Sequence, residues 1–145
     1  MPYEEVGKVC NWQNINPPYG KGRIQINAQV IRDACDVIRQ AAQNGQTIIY
    51  TDLMKRLKHR RHEKINRGTI GHIAGEVSNQ VAQVTNPSVY PSAIVVRSDT
   101  SQPGDGFWGL NMGTSPPSKV YHNQRVQMLQ QYQNEVFNRP WSCNC

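Results

Sequence analysis

Apolar residues recur along this chain in stretches at helical spacing, separated by short runs that alternate or break. From residue 28 to 43, Val30, Ile31, Ala34, Ile38, Ala41 and Ala42 follow the i, i+3, i+4, i+7 rhythm of a helix that buries one stripe. Asn27 is a suitable N-cap for it, and Asn44-Gly45 a suitable stop, because glycine accepts the left-handed conformation just past a helix end. Thr47 to Tyr50 reads as a brief strand, after which Thr51 or Asp52 is expected to cap a short helix carrying Leu53, Met54 and Leu57. A third helix is expected over 69–84, with Ile70, Ile73, Ala74, Val77, Val81 and Val84 on one face. Asn86-Pro87 and Tyr90-Pro91 break the chain. Residues 93–97 are expected to form a buried strand, 98–106 a turn or wing, and 107–110 a returning strand. A last helix over 118–137 places Val126, Leu129, Tyr132 or Gln133, and Val136 inward, and Trp141 tucks the tail back.

That order is helix, short strand, helix, basic loop, helix, strand, wing, strand, helix. It predicts an α+β class, as a single winged helix-turn-helix-like domain with an added C-terminal helix. Residues 1–26 read as an irregular arm, 27–141 as the domain and 142–145 as a cysteine-containing tail. In such a fold the third helix enters the major groove while its neighbour crosses the backbone.

Length and composition agree with one folded domain: 145 residues, 37% hydrophobic and 18% charged, with much of the polarity carried by Asn and Gln. Sixteen basic against ten acidic residues leave a net charge of +6, which points to an anionic partner. No apolar run approaches the ~20 residues of a membrane-spanning helix. The acidic start Met1-Pro2-Tyr3-Glu4-Glu5 is unlike a secretory signal, so a cytoplasmic location is expected. Cys10, Cys35, Cys143 and Cys145 allow two disulfides, but with no signal peptide reduced thiols are the expectation. Their spacing matches no familiar zinc pattern, and no cofactor or metal is expected.

The charge is concentrated. Seven Lys or Arg and two His fall within the thirteen residues from Lys55 to Arg67, opposed only by Glu63. Lys55, Arg56, Lys58, Arg60, Arg61, Lys64 and Arg67 are the candidates to hold phosphates, and Gly20-Lys21-Gly22-Arg23 is a second short basic motif. On the outer face of the third helix, Asn79, Gln80 and Gln83 can pair bidentately with adenine edges. Trp108 can wedge at a groove or pack in the core. DNA, most simply duplex DNA, is therefore the expected partner, and an acidic protein the alternative, as for an inhibitor that docks on it.

Catalytic chemistry is harder to assemble. A metal-dependent nuclease needs clustered carboxylates, and only Asp99 and Asp105, flanking the expected wing, offer a pair. His59 and His62 are three apart with no suitably spaced further ligand. Ser92 stands in no nucleophile elbow. The expected protein is non-catalytic, with the nuclease as the alternative.

Gln46-Thr47-Ile48-Ile49-Tyr50-Thr51-Asp52-Leu53 is similar to the Thr-x-x-Tyr-Gly-x-Leu segment of the O6-alkylguanine-DNA alkyltransferases and alkyltransferase-like proteins. Arg67-Gly68-Thr69-Ile70-Gly71 resembles their Arg-Ala-Val-Gly, with one residue more. Asn86-Pro87 and Tyr90-Pro91-Ser92-Ala93-Ile94-Val95-Val96 resemble their Asn-Pro and Pro-Cys-His-Arg-Val-Val, and Ser98-Asp99 with Gly104 and Gly106 fits their wing. The resemblance covers Thr47 to Leu129 and implies a DNA-binding winged helix. It also implies that Arg67 fills the gap left by a flipped base. Ser92 stands at the alkyl-accepting Cys position and Ala93 at the activating His; transfer needs a thiolate, so alkyl transfer is excluded. Ser92 to Val96 with Pro103 to Phe107 also resembles uncharacterised microbial proteins of mobile elements and defence loci, a resemblance that implies no activity.

Overall fold

In a computed structural model, the structure describes residues 5–14, 26–62, 65–104, 107 and 122–145, with the backbone alone for 122–125. The elements are β1 (Gly7–Lys8), α1 (Ala28–Gln43), β2 (Ile48–Ile49), α2 (Tyr50–His59), α3 (Arg67–Val84), a 3-10 turn (Pro91–Ile94), β3 (Val95–Val96), α4 (His122–Asn138) and β4 (Trp141–Ser142). The class is α+β. The second and third of the expected domain's helices lean on α1, which sits at the centre of the core.

The α1 helix has the predicted bounds. Asn27 Oδ1 accepts from the Val30 amide, and Asn14 of the arm accepts from the Ala28 amide, so two free N–H groups of the first turn are satisfied. At its other end Gly45, with φ +65°, donates to the Ala42 carbonyl and Gln46 donates to Ala41, closing a Schellman motif. Ile31, Ala34, Cys35 and Ile38 are fully buried along it.

The strands among the described residues pair in parallel. β2 lies parallel to β3 in the register Ile48↔Val95 and Ile49↔Val96, and β1 lies parallel to β4 with Gly7↔Trp141 and Lys8↔Ser142. Within the arm, β1 thus ties residues 7–9 to the tail. Gly7 packs so tightly on the end of α3 that a Cβ there would collide with the Val84 carbonyl oxygen and come within 2.6 Å of Thr85 Cγ2. The expected strand over 93–97 shrinks to β3 because its start is taken by the 3-10 turn. Pro91 has no N–H to give a ladder, the Ser92 amide donates to Ser78 Oγ at 2.8 Å, and the Ala93 amide donates to the Tyr90 carbonyl. The returning strand over 107–110 lies outside the described residues except for Phe107, which is buried.

Two helix starts also differ from expectation. α2 rises directly from β2 at Tyr50 without a side-chain cap, and Asp52 sits in its first turn, where its charge suits the helix dipole. α3 starts at Arg67 because Asn66, not a later residue, caps it. Asn66 Oδ1 accepts from the Gly68 and Thr69 amides, and Thr69 Oγ1 accepts from the Asn66 amide. Val84, expected inward, is 39% exposed. In α4, Leu129 and Val136 are buried, Tyr132 meets Tyr90 and Phe107 edge-on, and Gln133 donates to the Ala93 carbonyl. Trp141 is buried, its indole N–H donating to Val136, with the Arg39 guanidinium over its ring.

All four cysteines are paired, Cys10 with Cys145 and Cys35 with Cys143. This corrects the expectation of reduced thiols. The β1–β4 ladder is the reason: it lays residues 7–10 against the tail and carries Cys143 down onto the fully buried Cys35 of α1.

Candidate nucleic-acid interface

A cleft of about 820 Å³ opens between α2, one face of α3 and the turn after β3. Its long wall is α3 from Arg67 to Asn79, a run of about 18 Å at 1.5 Å per residue. Gly68, Gly71 and Gly75 recur on that wall at i, i+3 and i+7 and leave it bare. A Cβ at Gly71 or Gly75 would touch nothing within 4 Å, so core packing does not demand glycine at either position. Each costs about 1 kcal/mol against alanine inside a helix.

The opposite side carries Tyr50 and Met54 of α2, then Ser92, Arg97 and Phe107. The Gly104 amide donates to Tyr50 Oη at 3.0 Å. Burial pushes the phenol above its usual value, more than that hydrogen bond and the charge of Arg97 pull it down. Tyr50 therefore keeps a proton to donate at neutral pH. Arg97 grips Asp99 through two hydrogen bonds of 3.1 and 3.0 Å, which hold the Asp99 carboxyl below its usual range. The turn 97–102 is closed by the Arg97 amide, which donates to the Gln102 carbonyl, and by the Ser101 amide, which donates to the Arg97 carbonyl. Ser92 is 3% exposed and its hydroxyl lies 2.6 Å from that of Ser78.

The basic run is not a loop. Lys55, Arg56 and Lys58 belong to the second half of α2, and only 60–66 form the connection to α3. Along α2, Lys58 continues the i, i+4 row of Tyr50 and Met54 on the cleft side, and Lys55 flanks it; Arg56 lies further round the helix. Arg60 turns to α1 instead, 3.6 Å from Asp33 and 3.3 Å from Asp36. Asp33 is also 2.6 Å from His62 Nε2 and accepts from Gln29, so it pins the connection to α1. Arg67 is exposed at the cleft mouth. Lys64, Trp108, Asp105 and the Gly20–Arg23 motif lie outside the described residues.

On the outer face of α3, Asn79 and Gln83 are exposed as expected, but Gln80 is not available. It is 6% exposed, and its amide group both accepts from the Gln13 backbone N–H and donates to the Gln13 carbonyl. The arm, distant in sequence, covers it. Among the described residues no group of three His, Cys, Asp or Glu is placed to hold an ion, and Asp105, the expected partner of Asp99, lies outside them. Tyr50, Met54 and Glu76 were missed as site residues. The signal that marks the wall of Glu76 is the Gly68-x-x-Gly71-x-x-x-Gly75 spacing.

Arg61 stands in a conformation that glycine prefers. α2 ends in the same Schellman motif as α1, with Arg61 donating to Lys58 and His62 to Leu57, but the left-handed residue, at φ 72°, is arginine. Arg61→Gly is expected to raise stability by about 1 kcal/mol in urea unfolding, because the left-handed penalty is relieved. A loss of stability would show instead that the Arg61 side chain makes a stabilising contact.

The chain matches no protein-family model, no curated protein and no solved structure.

Proposed function

We propose that this protein binds duplex DNA without chemistry of its own, as a winged-helix-type reader related to the alkyltransferase-like proteins. The observation that carries the reading is exposed Arg67 at the mouth of a cleft whose long wall is the bare face of α3, with exposed Lys55 and Lys58 on α2 beyond its cleft-lining residues Tyr50 and Met54. The two lysines and Arg61 hold phosphates, which fixes register without reading sequence. The glycines let the DNA approach the α3 backbone closely. Arg67, in the first turn, occupies the gap left by a base turned out of the stack, and the cleft receives that base, with Tyr50 as a phenolic donor inside it. The reading includes no catalytic step, because Ser92 stands where the resembled family carries its alkyl-accepting thiol.

Binding to a labelled duplex across a salt series, with and without Mg²⁺, tests this. Saturable binding is expected, its log–log slope falling by about 0.9 for each phosphate neutralised, with intact DNA. Absence of binding at low salt would sink the reading and move the basic surface to an acidic protein partner; Mg²⁺-dependent cleavage would replace it with a nuclease.

A further inference from the structure

We propose that Glu76 selects which base the cleft admits, favouring one that offers two adjacent N–H donors, the pattern of guanine's Watson–Crick edge. This rests on the DNA-binding reading above.

Glu76 is half-buried in the third turn of α3 and lines the cleft between Gly75 and Asn79. Its Oε1 accepts from Gln80 Nε2 at 3.1 Å and its Oε2 from Asn79 Nδ2 at 3.3 Å. A carboxylate has about four acceptor positions, so both oxygens keep one. Among the described residues Glu76 makes no ion pair, although Arg67 and Arg97 border the same cleft. Its orientation is set from behind: Gln80 is itself held by two hydrogen bonds to the Gln13 main chain, so the carboxylate is positioned before any ligand arrives.

A fixed acceptor pair discriminates by the edge presented to it. Guanine offers N1–H and its 2-amino group side by side and fits a carboxylate with two parallel hydrogen bonds. Adenine and cytosine each set one amino group beside a ring acceptor, and thymine flanks its single N–H with carbonyls. O6-alkylation removes the guanine N1 proton and leaves a lone pair facing the carboxylate. The cleft is therefore expected to refuse O6-alkylguanine, the base that the resembled family takes.

Fluorescence anisotropy with short duplexes carrying a single G, A, C, T or O6-methylguanine opposite an abasic site decides the matter. The wild-type protein is expected to bind unpaired G about tenfold more tightly than T or O6-methylguanine, and E76Q to lose that ranking. E76D, which keeps the carboxylate, is expected to retain the order even if E76Q melts early. Tight binding that ignores the unpaired base overturns the role of Glu76 and leaves DNA binding standing, as does a ranking that survives in a folded E76Q. Failure to bind any of the duplexes overturns both readings.

Discussion

Reduction of both disulfides is expected to lower the melting temperature by on the order of 10 °C. Cys10–Cys145 and Cys35–Cys143 close loops with sequence separations of 135 and 108 residues. Cross-links over such spans restrict the unfolded chain, an effect typically of about 2–5 kcal/mol for a native bridge. The folded state loses as well, because the bridges hold the β1–β4 ladder, the buried Trp141 and the hydrogen bond from Trp12 to the Cys143 carbonyl. The inner pair is expected to contribute more, since Cys35 and Cys143 are both buried while Cys10 and Cys145 are exposed. Thermal melts with and without a thiol reductant, on the wild type and on Cys10→Ser/Cys145→Ser and Cys35→Ala/Cys143→Ala variants, check this. A melting temperature that stays put while a thiol assay counts four free cysteines would refute it. Bridges of this kind persist in oxidising surroundings, so the pairing lends no support to a reducing compartment.

Charge reversal at Lys55 and Lys58 together is expected to weaken DNA binding uniformly across sequences and to reduce the salt slope by about 2. Both residues are exposed and lie on or beside the cleft face of α2, with no partner among the described hydrogen bonds and ion pairs. Reversal at Arg60 is the poorer choice. It would set a third carboxylate beside Asp33 and Asp36 and loosen the connection between α2 and α3, confounding binding with folding. The salt slope of Lys55→Glu/Lys58→Glu, compared with wild type and with a circular-dichroism melt, makes the distinction. An unchanged slope in a folded variant would remove these lysines from the phosphate contacts.

Local signals were the legible ones. The stripe, cap and stop of α1 are all written within its own residues, and the structure reproduces its bounds. The start of α3 moved by two residues because Asn66 stands just behind the basic run and its capping partner is Thr69 rather than the customary Glu or Gln. Gln80 was assigned to an outer face by helical periodicity, and Arg60 to phosphate contact by its place in the basic run. The former is covered by Gln13 and the latter drawn to Asp33, contacts that span 67 and 27 positions and leave no periodic trace. The same holds for the cysteines, whose pairing depends on a two-residue ladder joining the arm to the tail. The cleft itself was half written in the three glycines, but its far wall arrives from the turn after β3, and only the folded chain brings the two together.

The manner in which α3 is held has a mechanical consequence. Its far end is clamped: Gly7 lies flush against Val84, Gln80 is bracketed by the Gln13 main chain, and Thr85 locks the exit through hydrogen bonds to Val81 and Val89. Its near end carries Gly68, Gly71 and Gly75 on the open side while Ile70, Ile73 and Ala74 rest on the core. The helix is thus held at both ends, at its start by the Asn66 cap and the buried Ile70 and Ile73, at its exit by the arm and Thr85, while its glycine face stays open between them. A ligand pressing on that face meets a helix braced fore and aft, and Glu76 keeps its alignment under the load.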